Sequence, residues 1–166
     1  MMIYFGLGSN LGNRLQNLRD AVERLRSFGR IIKSSDVYET SAWGGVEQPD
    51  YLNACVSIES QNESLTPFDI LSRIKRFERE LGRVESVRWG ARKIDIDILL
   101  IDDLILHSDM LNVPHVNIPD RLFVLVPLKE ILPVNWIHPE NMKSIDDMIE
   151  CVRSEGDYVL RVTSLL

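Results

Sequence analysis

An α+β fold built on an antiparallel sheet is the class this sequence predicts, and three observations predict it. Apolar segments of strand length recur along the chain, two segments between them carry helical apolar spacing, and glycine or proline marks most junctions. At 166 residues the chain has the size of one domain around one core. Its 45% hydrophobic and 27% charged residues are the balance of a folded protein, which sets aside disordered and low-complexity classes. The longest apolar run, Leu122 to Leu128, contains Pro127 and falls far short of the ~18 residues a membrane span requires. Met1 to Gly8 has no preceding positive charge, so it does not read as a signal peptide. Cys55 and Cys151 stand apart without C-x-x-C spacing and read as reduced thiols, and the expected location is the cytoplasm.

Met2 to Leu7 reads as a buried strand. Leu15, Leu18, Val22, Leu25 and Phe28 recur at helical spacing and predict a helix over 13–28, with Gly29 in the place of a left-handed cap. Ile31 to Tyr38 and Tyr51 to Glu59 predict two strands, joined by the polar stretch Thr40 to Asp50, which is long for a hairpin. Thr66-Pro67-Phe68-Asp69 combines a capping residue, a proline at the first helical position and an acid at the third. The helix it starts buries Leu71, Ile74, Phe77 and Leu81 and stops at Gly82. Ile94, Ile96, Ile98 and Leu100 alternate with Asp95, Asp97, Leu99 and Ile101, a strand with one apolar and one mixed face.

This order, β-α-β-β-α-β, is the ferredoxin-like split βαβ pattern, with helices packed on an antiparallel sheet. A C-terminal extension follows: a short strand at Leu104 to Leu106, a proline-punctuated loop, a helix near Leu122 to Ile131, and a last helix capped by Ser144 and Asp147. With no internal repeat and no linker, 1–166 reads as a single domain.

Nineteen Lys and Arg against 25 Asp and Glu leave a net charge of −6, which argues against a protein that coats nucleic acid. The distribution is more telling. Asp69 to Lys93 holds eight basic and four acidic residues, whereas Ile94 to Met110 holds five Asp and neither Lys nor Arg. That juxtaposition suits a polyanion beside a metal cation, and taken alone it suits a solvated helix face as well.

Asp95 and Asp97 lie two apart on a strand, so their carboxylates leave one face about 7 Å apart at Cα, given a ~3.3 Å rise per residue. Like charges in a half-buried place raise each other's pKa unless a cation compensates, and such hard oxygens suit Mg²⁺. An edge strand with its polar face in water fits D-x-D equally well. The segment Gly82 to Lys93 weighs for the metal: it brings Arg83, Arg88, Arg92 and Lys93 onto a loop with Trp89 and Gly90, where guanidinium groups can fork onto phosphate oxygens. Together they point to phosphoryl or pyrophosphoryl transfer. Gly6-Leu7-Gly8-Ser9-Asn10-Leu11-Gly12 matches neither the dinucleotide nor the Walker fingerprint and reads as a tight strand-to-helix turn with Asn10 or Asn13 as helix cap. His107, His115 and His138 show no metal spacing.

Seven blocks carry a resemblance. Gly8-Ser9-Asn10-Leu11-Gly12, Tyr38-Glu39-Thr40, Gln48-Pro49-Asp50-Tyr51-Leu52-Asn53, Glu78 with Leu81-Gly82-Arg83, Arg88-Trp89-Gly90-x-Arg92-x-x-Asp95-x-Asp97, Pro114-His115 and Arg121-x-Phe123 resemble the 6-hydroxymethyl-7,8-dihydropterin pyrophosphokinases of folate biosynthesis, over residues 3 to about 140. The resemblance implies a ferredoxin-like fold, ATP as donor, two Mg²⁺ ions, and transfer of the β,γ-pyrophosphate to the pterin hydroxymethyl oxygen with release of AMP. It implies Asp95 and Asp97 as metal ligands and Arg83 and Arg92 as the catalytic cations. It assigns Thr40, Trp43, Tyr51, Asn53, Trp89 and Phe123 to the pterin, and Lys75, Glu78, Arg88, Ile98, His115 and Arg121 to ATP. Core packing is the other reading of Tyr51 and Phe123.

The implied partners are these two small molecules, with no nucleic acid and no membrane; family members are often monomers, and a dimer through a strand edge stays open. The sequence departs from the family pattern at Glu85, where a second basic residue is common, at Val116 after His115, at Met110, where some members carry arginine, and at Trp43, which replaces a proline-rich lead. The Trp43 to Asp50 and Val84 to Ala91 loops are the expected lids.

Overall fold

Six strands form one antiparallel sheet in the computed structural model, which describes residues 1–41, 48–83, 91–152 and 159–166. In chain order the elements are β1 (Met2–Ser9), α1 (Arg14–Leu25), β2 (Arg30–Ser34), β3 (Asp36–Thr40), β4 (Tyr51–Glu59), α2 (Pro67–Glu80), β5 (Asp95–Ile101), β6 (Leu106–His107), β7 (Asn112–Val113), α3 (Leu122–Ile131), α4 (Ile145–Val152) and β8 (Val159–Ser164). The sheet runs β5-β1-β4-β3-β8, with β2 also on β4; β6 and β7 pair separately.

The helices begin where their caps dictate. The Asn13 side chain accepts from Gln16 N–H at 3.2 Å and starts α1, which leaves Asn10 out of the capping role. Thr66 and Asp69 close a capping box on α2, with Asp69 N–H donating to Thr66 Oγ1 at 3.1 Å and Thr66 N–H to Asp69 Oδ2 at 3.0 Å. Gly82, at φ +89°, ends the segment in the left-handed region that favours glycine. Gly29 does not: at φ 158° its backbone is close to fully extended, and a Cβ there would lie 2.1 Å from the Glu59 carbonyl oxygen. Close approach to β4, rather than a left-handed cap, is what requires glycine at 29.

The structure corrects the strand expectations in three places. Ile31 to Tyr38 is broken at Ser35, whose hydroxyl accepts from Cys55 N–H at 2.8 Å and so replaces a ladder partner; both halves stay on β4. The short strand expected at 104–106 is a two-residue pairing at Leu106–His107. The last strand, β8, escaped the sequence reading altogether. Its exposed Leu160 and Val162 give no buried alternation, and it is held by pairing with β3 and by the Arg161–Asp36 ion pair, residues 125 apart in sequence.

Both faces of the sheet are covered. Ile3, Phe5, Leu7, Ile96 and Ile98 point to α1 and α2, where Leu18, Val22, Leu25, Ile70, Ile74 and Phe77 complete one core. Tyr4, Cys55, Leu99 and Leu100 point the other way, to Leu122, Leu125 and Leu128 of α3 and Met148 and Ile149 of α4. Leu99 and Leu100 share a side because the β1–β5 register shifts between Tyr4 and Phe5, a bulge that interrupts the alternation expected across β5. Among the described residues no helix is long and apolar enough to cross a membrane.

Candidate active site

Period-two alternation along β1 sends Phe5 and Leu7 into the core and turns Gly6 and Gly8 to the opposite face. Register does the rest. Gly8 stands opposite Asn53 of β4 on one side and Asp95 of β5 on the other; Gly6 stands opposite Cys55 and Asp97. The centre of each row has no side chain, so a trough is left between a wall of amide and thiol and a wall of carboxylates. A Cβ on Gly8 would come 3.3 Å from Asn53 Oδ1 and 3.6 Å from the Tyr51 ring, and one on Gly6 would meet Leu99 at 3.4 Å. Tyr51, Thr40, Ser41 and Gln48 also line the trough, as do Arg121, Phe123 and Val124 at the start of α3.

The polar groups are ordered by one another. Asn53 Nδ2 donates to Thr40 Oγ1 at 2.8 Å, which orients the amide towards Gly8. Asp95 accepts from Arg83 Nη1 at 2.8 Å and from Arg92 Nη1 at 2.7 Å. Burial works against its charge, but the two guanidinium groups outweigh it and hold the carboxyl below the usual range. At Asp97 burial, and then the Asp95 charge, outweigh Lys75, Arg121 and Arg92 and push the carboxyl up to about 6. Behind this pair, Glu78 is 1% exposed and fully engaged. It accepts from Ile96 N–H at 2.8 Å, from Lys75 Nζ at 3.0 Å and from Arg83, and burial first of all raises its pKa. The His115 backbone N–H donates to Leu99 O at 2.9 Å; burial and then the Arg121 charge lower the imidazole to about 4, so it is neutral at pH 7.

Of the residues expected at the site, Thr40, Tyr51, Asn53, Arg92, Asp95, Asp97, Arg121 and Phe123 line this one pocket. Arg83 reaches it through Asp95, and Lys75 and Glu78 stand behind Arg83. Ile98 has its side chain in the opposite core, so it can offer the pocket only backbone. Trp43, Arg88, Trp89 and Glu85 lie outside the described residues, as do most of the two expected lids; the departures Met110 and Val116 are exposed. Sequence reasoning missed Gly6 and Gly8 as a floor, Cys55 beside them, and Gln48. The alternation of β1 held the signal, since two glycines two apart in an otherwise apolar strand bare one face.

Among the described residues no cluster of three or more His, Cys, Asp or Glu side chains is arranged to hold a metal. The carboxylate pair Asp95 and Asp97 would suit a hard cation that takes its remaining oxygens from water and substrate, and the raised Asp97 marks a place where burial and the neighbouring carboxylate outweigh the nearby cations.

The family model and the relatives it shares place the chain among the pyrophosphokinases. Within that class it belongs to the 7,8-dihydro-6-hydroxymethylpterin-pyrophosphokinase family, whose model matches residues 4–133. A 2-amino-4-hydroxy-6-hydroxymethyldihydropteridine pyrophosphokinase of Aquifex aeolicus is 43% identical over 145 residues, 87% of this chain and 88% of the relative. The enzyme of that name from Bacillus subtilis is 43% identical over 130 residues, 77% of this chain and 76% of the relative. The fold recurs in the HPPK-DHPS protein of Plasmodium falciparum crystallised with pteroate, at TM-score 0.72 and 15% identity. There the match covers 92% of this chain and 44% of the other, so this chain corresponds to less than half of that protein.

Proposed function

We propose that this chain, acting as one unit, transfers pyrophosphate from ATP to the hydroxymethyl oxygen of 6-hydroxymethyl-7,8-dihydropterin, with Asp95 and Asp97 as ligands of two Mg²⁺ ions. The observation that carries the reading is the pair of rows Asn53–Gly8–Asp95 and Cys55–Gly6–Asp97. They put a hydrogen-bonding amide and a carboxylate pair on opposite sides of a side-chain-free floor, which is where an acceptor and a polyphosphate must meet. The β5-β1-β4-β3 order supports the ferredoxin-like description of the core.

Asn53, held by Thr40, offers donor and acceptor to the edge of a lactam, and Tyr51 and Phe123 supply apolar faces for a flat ring; Trp43 and Trp89, assigned to the pterin by the family resemblance, lie outside the described residues. Arg121, His115, Lys75, Arg88 and the Ile98 backbone are assigned to ATP. Glu78 serves it indirectly, by holding Lys75 and Arg83. Arg83 and Arg92, now spent on Asp95, turn to phosphate oxygens when the triphosphate arrives and free Asp95 for metal. The bound Mg²⁺ supplies charge neutralisation on the phosphates and a lowered pKa at the acceptor hydroxyl. The hydroxymethyl oxygen bonds to the β-phosphorus as the bridge to the α-phosphorus breaks, AMP leaves, and the hydroxyl proton goes to water. No protein nucleophile is needed. The chain works as a monomer, and the buried reduced thiol of Cys55 suits a cytoplasmic setting.

The test is to incubate the protein with ATP, Mg²⁺ and the pterin and resolve the nucleotides. AMP formed only with pterin present is the expected result; ADP marks a simple kinase, and no turnover by folded protein rejects the reading. Arg92→Ala should lower kcat by about 100-fold with a much smaller loss of ATP affinity, because its charge matters most as charge develops on the transferring group. Equal losses in both would assign it to positioning. Gly8→Val puts branched bulk against Asn53 and Tyr51, so the pterin KM should rise at least about tenfold with the ATP KM little changed; an unchanged pterin KM would remove Gly8 from the floor.

A further inference from the structure

Asn10 remains unexplained by helix capping, since Asn13 caps α1, yet it is 2% exposed and every polar atom of its amide is used. Its Oδ1 accepts from Arg92 N–H at 2.7 Å, and its own N–H donates to Arg92 O at 3.1 Å, a two-point clamp on the backbone of that arginine. Its Nδ2 donates at 3.1 Å both to Gln48 Oε1 and to Pro49 O. The two backbone partners, one donor and one acceptor, settle which way the amide points. Neighbours reinforce both sides: Ser9 Oγ and Asn17 Nδ2 donate to Lys93 O at 2.6 and 3.0 Å, and Arg14 Nη1 donates to Asp50 O at 2.7 Å, but Asn10 alone of these touches both segments.

We propose that Asn10 is a positioning residue that couples the two substrate subsites, a role that rests on the pyrophosphokinase reading of the pocket. The 48–50 segment enters β4 directly before Tyr51 and Asn53 on the acceptor side, and Gln48 itself lines the pocket. Arg92 holds Asp95 on the phosphate side. One buried amide joins the two, so order imposed at one subsite lowers the cost of ordering the other, which is positive coupling between two ligands.

Calorimetric titration of 6-hydroxymethyl-7,8-dihydropterin, alone and with saturating Mg²⁺ and α,β-methylene-ATP, reads that coupling as a ratio of dissociation constants. In the wild type the nucleotide should tighten the pterin by about tenfold or more. Asn10→Asp keeps the acceptor for Arg92 N–H but sets an oxygen against Pro49 O. The variant should therefore hold the nucleotide within about threefold of wild type while its ratio falls towards one. Asn10→Ala should lose the ratio and weaken the nucleotide as well. If N10A does not fold, N10D decides, and N10D is secured by its preserved bond to Arg92. A wild-type ratio near one, or a folded variant with the wild-type ratio, overturns the coupling role while leaving the enzyme reading intact. A wild type that binds neither ligand overturns the enzyme reading, and this role with it.

Discussion

Asp97→Asn should abolish turnover and at the same time make the metal-free protein more stable at neutral pH. The carboxyl is pushed up to about 6 by burial and by Asp95, above its ordinary value near 3.8. For a carboxyl raised in this way the native state holds its proton more tightly than the unfolded chain. Stability from this group is therefore complete below about pH 3.8 and is lost as pH rises to about 6. The difference corresponds to about 3 kcal/mol at pH 7, an upper figure because relaxation and water entry soften it. Asparagine has nothing to ionise, so the variant's advantage should be absent at pH 3.5, grow between pH 4 and 6, and stay level above. Urea unfolding in EDTA at pH 3.5, 5 and 7 measures it. Added Mg²⁺ and nucleotide should narrow the gap by stabilising the wild type. Turnover should fall by about 1000-fold or more, since the pair has lost half its charge. A variant as active as wild type would sink the metal assignment, and a pH-independent stability difference would sink the account of Asp97 as an uncompensated charge.

Glu78→Ala is expected to differ in its effect on stability, weakening fold and activity together. At 1% exposure the carboxylate satisfies the Ile96 N–H and two cations, Lys75 and Arg83. Its removal leaves a buried N–H without a partner and Arg83 with half its anchorage, a loss of about 3–5 kcal/mol. Glu78→Gln keeps an acceptor for Ile96 N–H and should recover most of the stability without the charge. Its kcat should remain well below wild type, because Arg83 is then held by Asp95 alone. Equilibrium unfolding and steady-state kinetics on the two variants separate these effects. An alanine variant within about 1 kcal/mol of wild type would show that the buried network contributes little.

The chain carries its local structure openly. Thr66-Pro67-Phe68-Asp69 specifies the start of α2 because every group in its capping box lies within four residues, and D-x-D on an alternating strand specifies that Asp95 and Asp97 share a face. The motif strings around Asn53, Arg92 and Asp95 are enough to identify the family whose model matches residues 4–133. Tertiary structure alone decided what depends on contacts between distant segments. Gly29 is needed where β4 passes within reach of a Cβ; the strand over 31–38 breaks because Ser35 bonds to Cys55; β8 exists only by pairing with β3. The site follows the same division. Its residue types were legible by position in the chain, but the glycine floor, the raised Asp97 and the shared clamp of Asn10 arise from strand register and burial. Those are properties of three segments brought side by side, and no one of the segments encodes them alone.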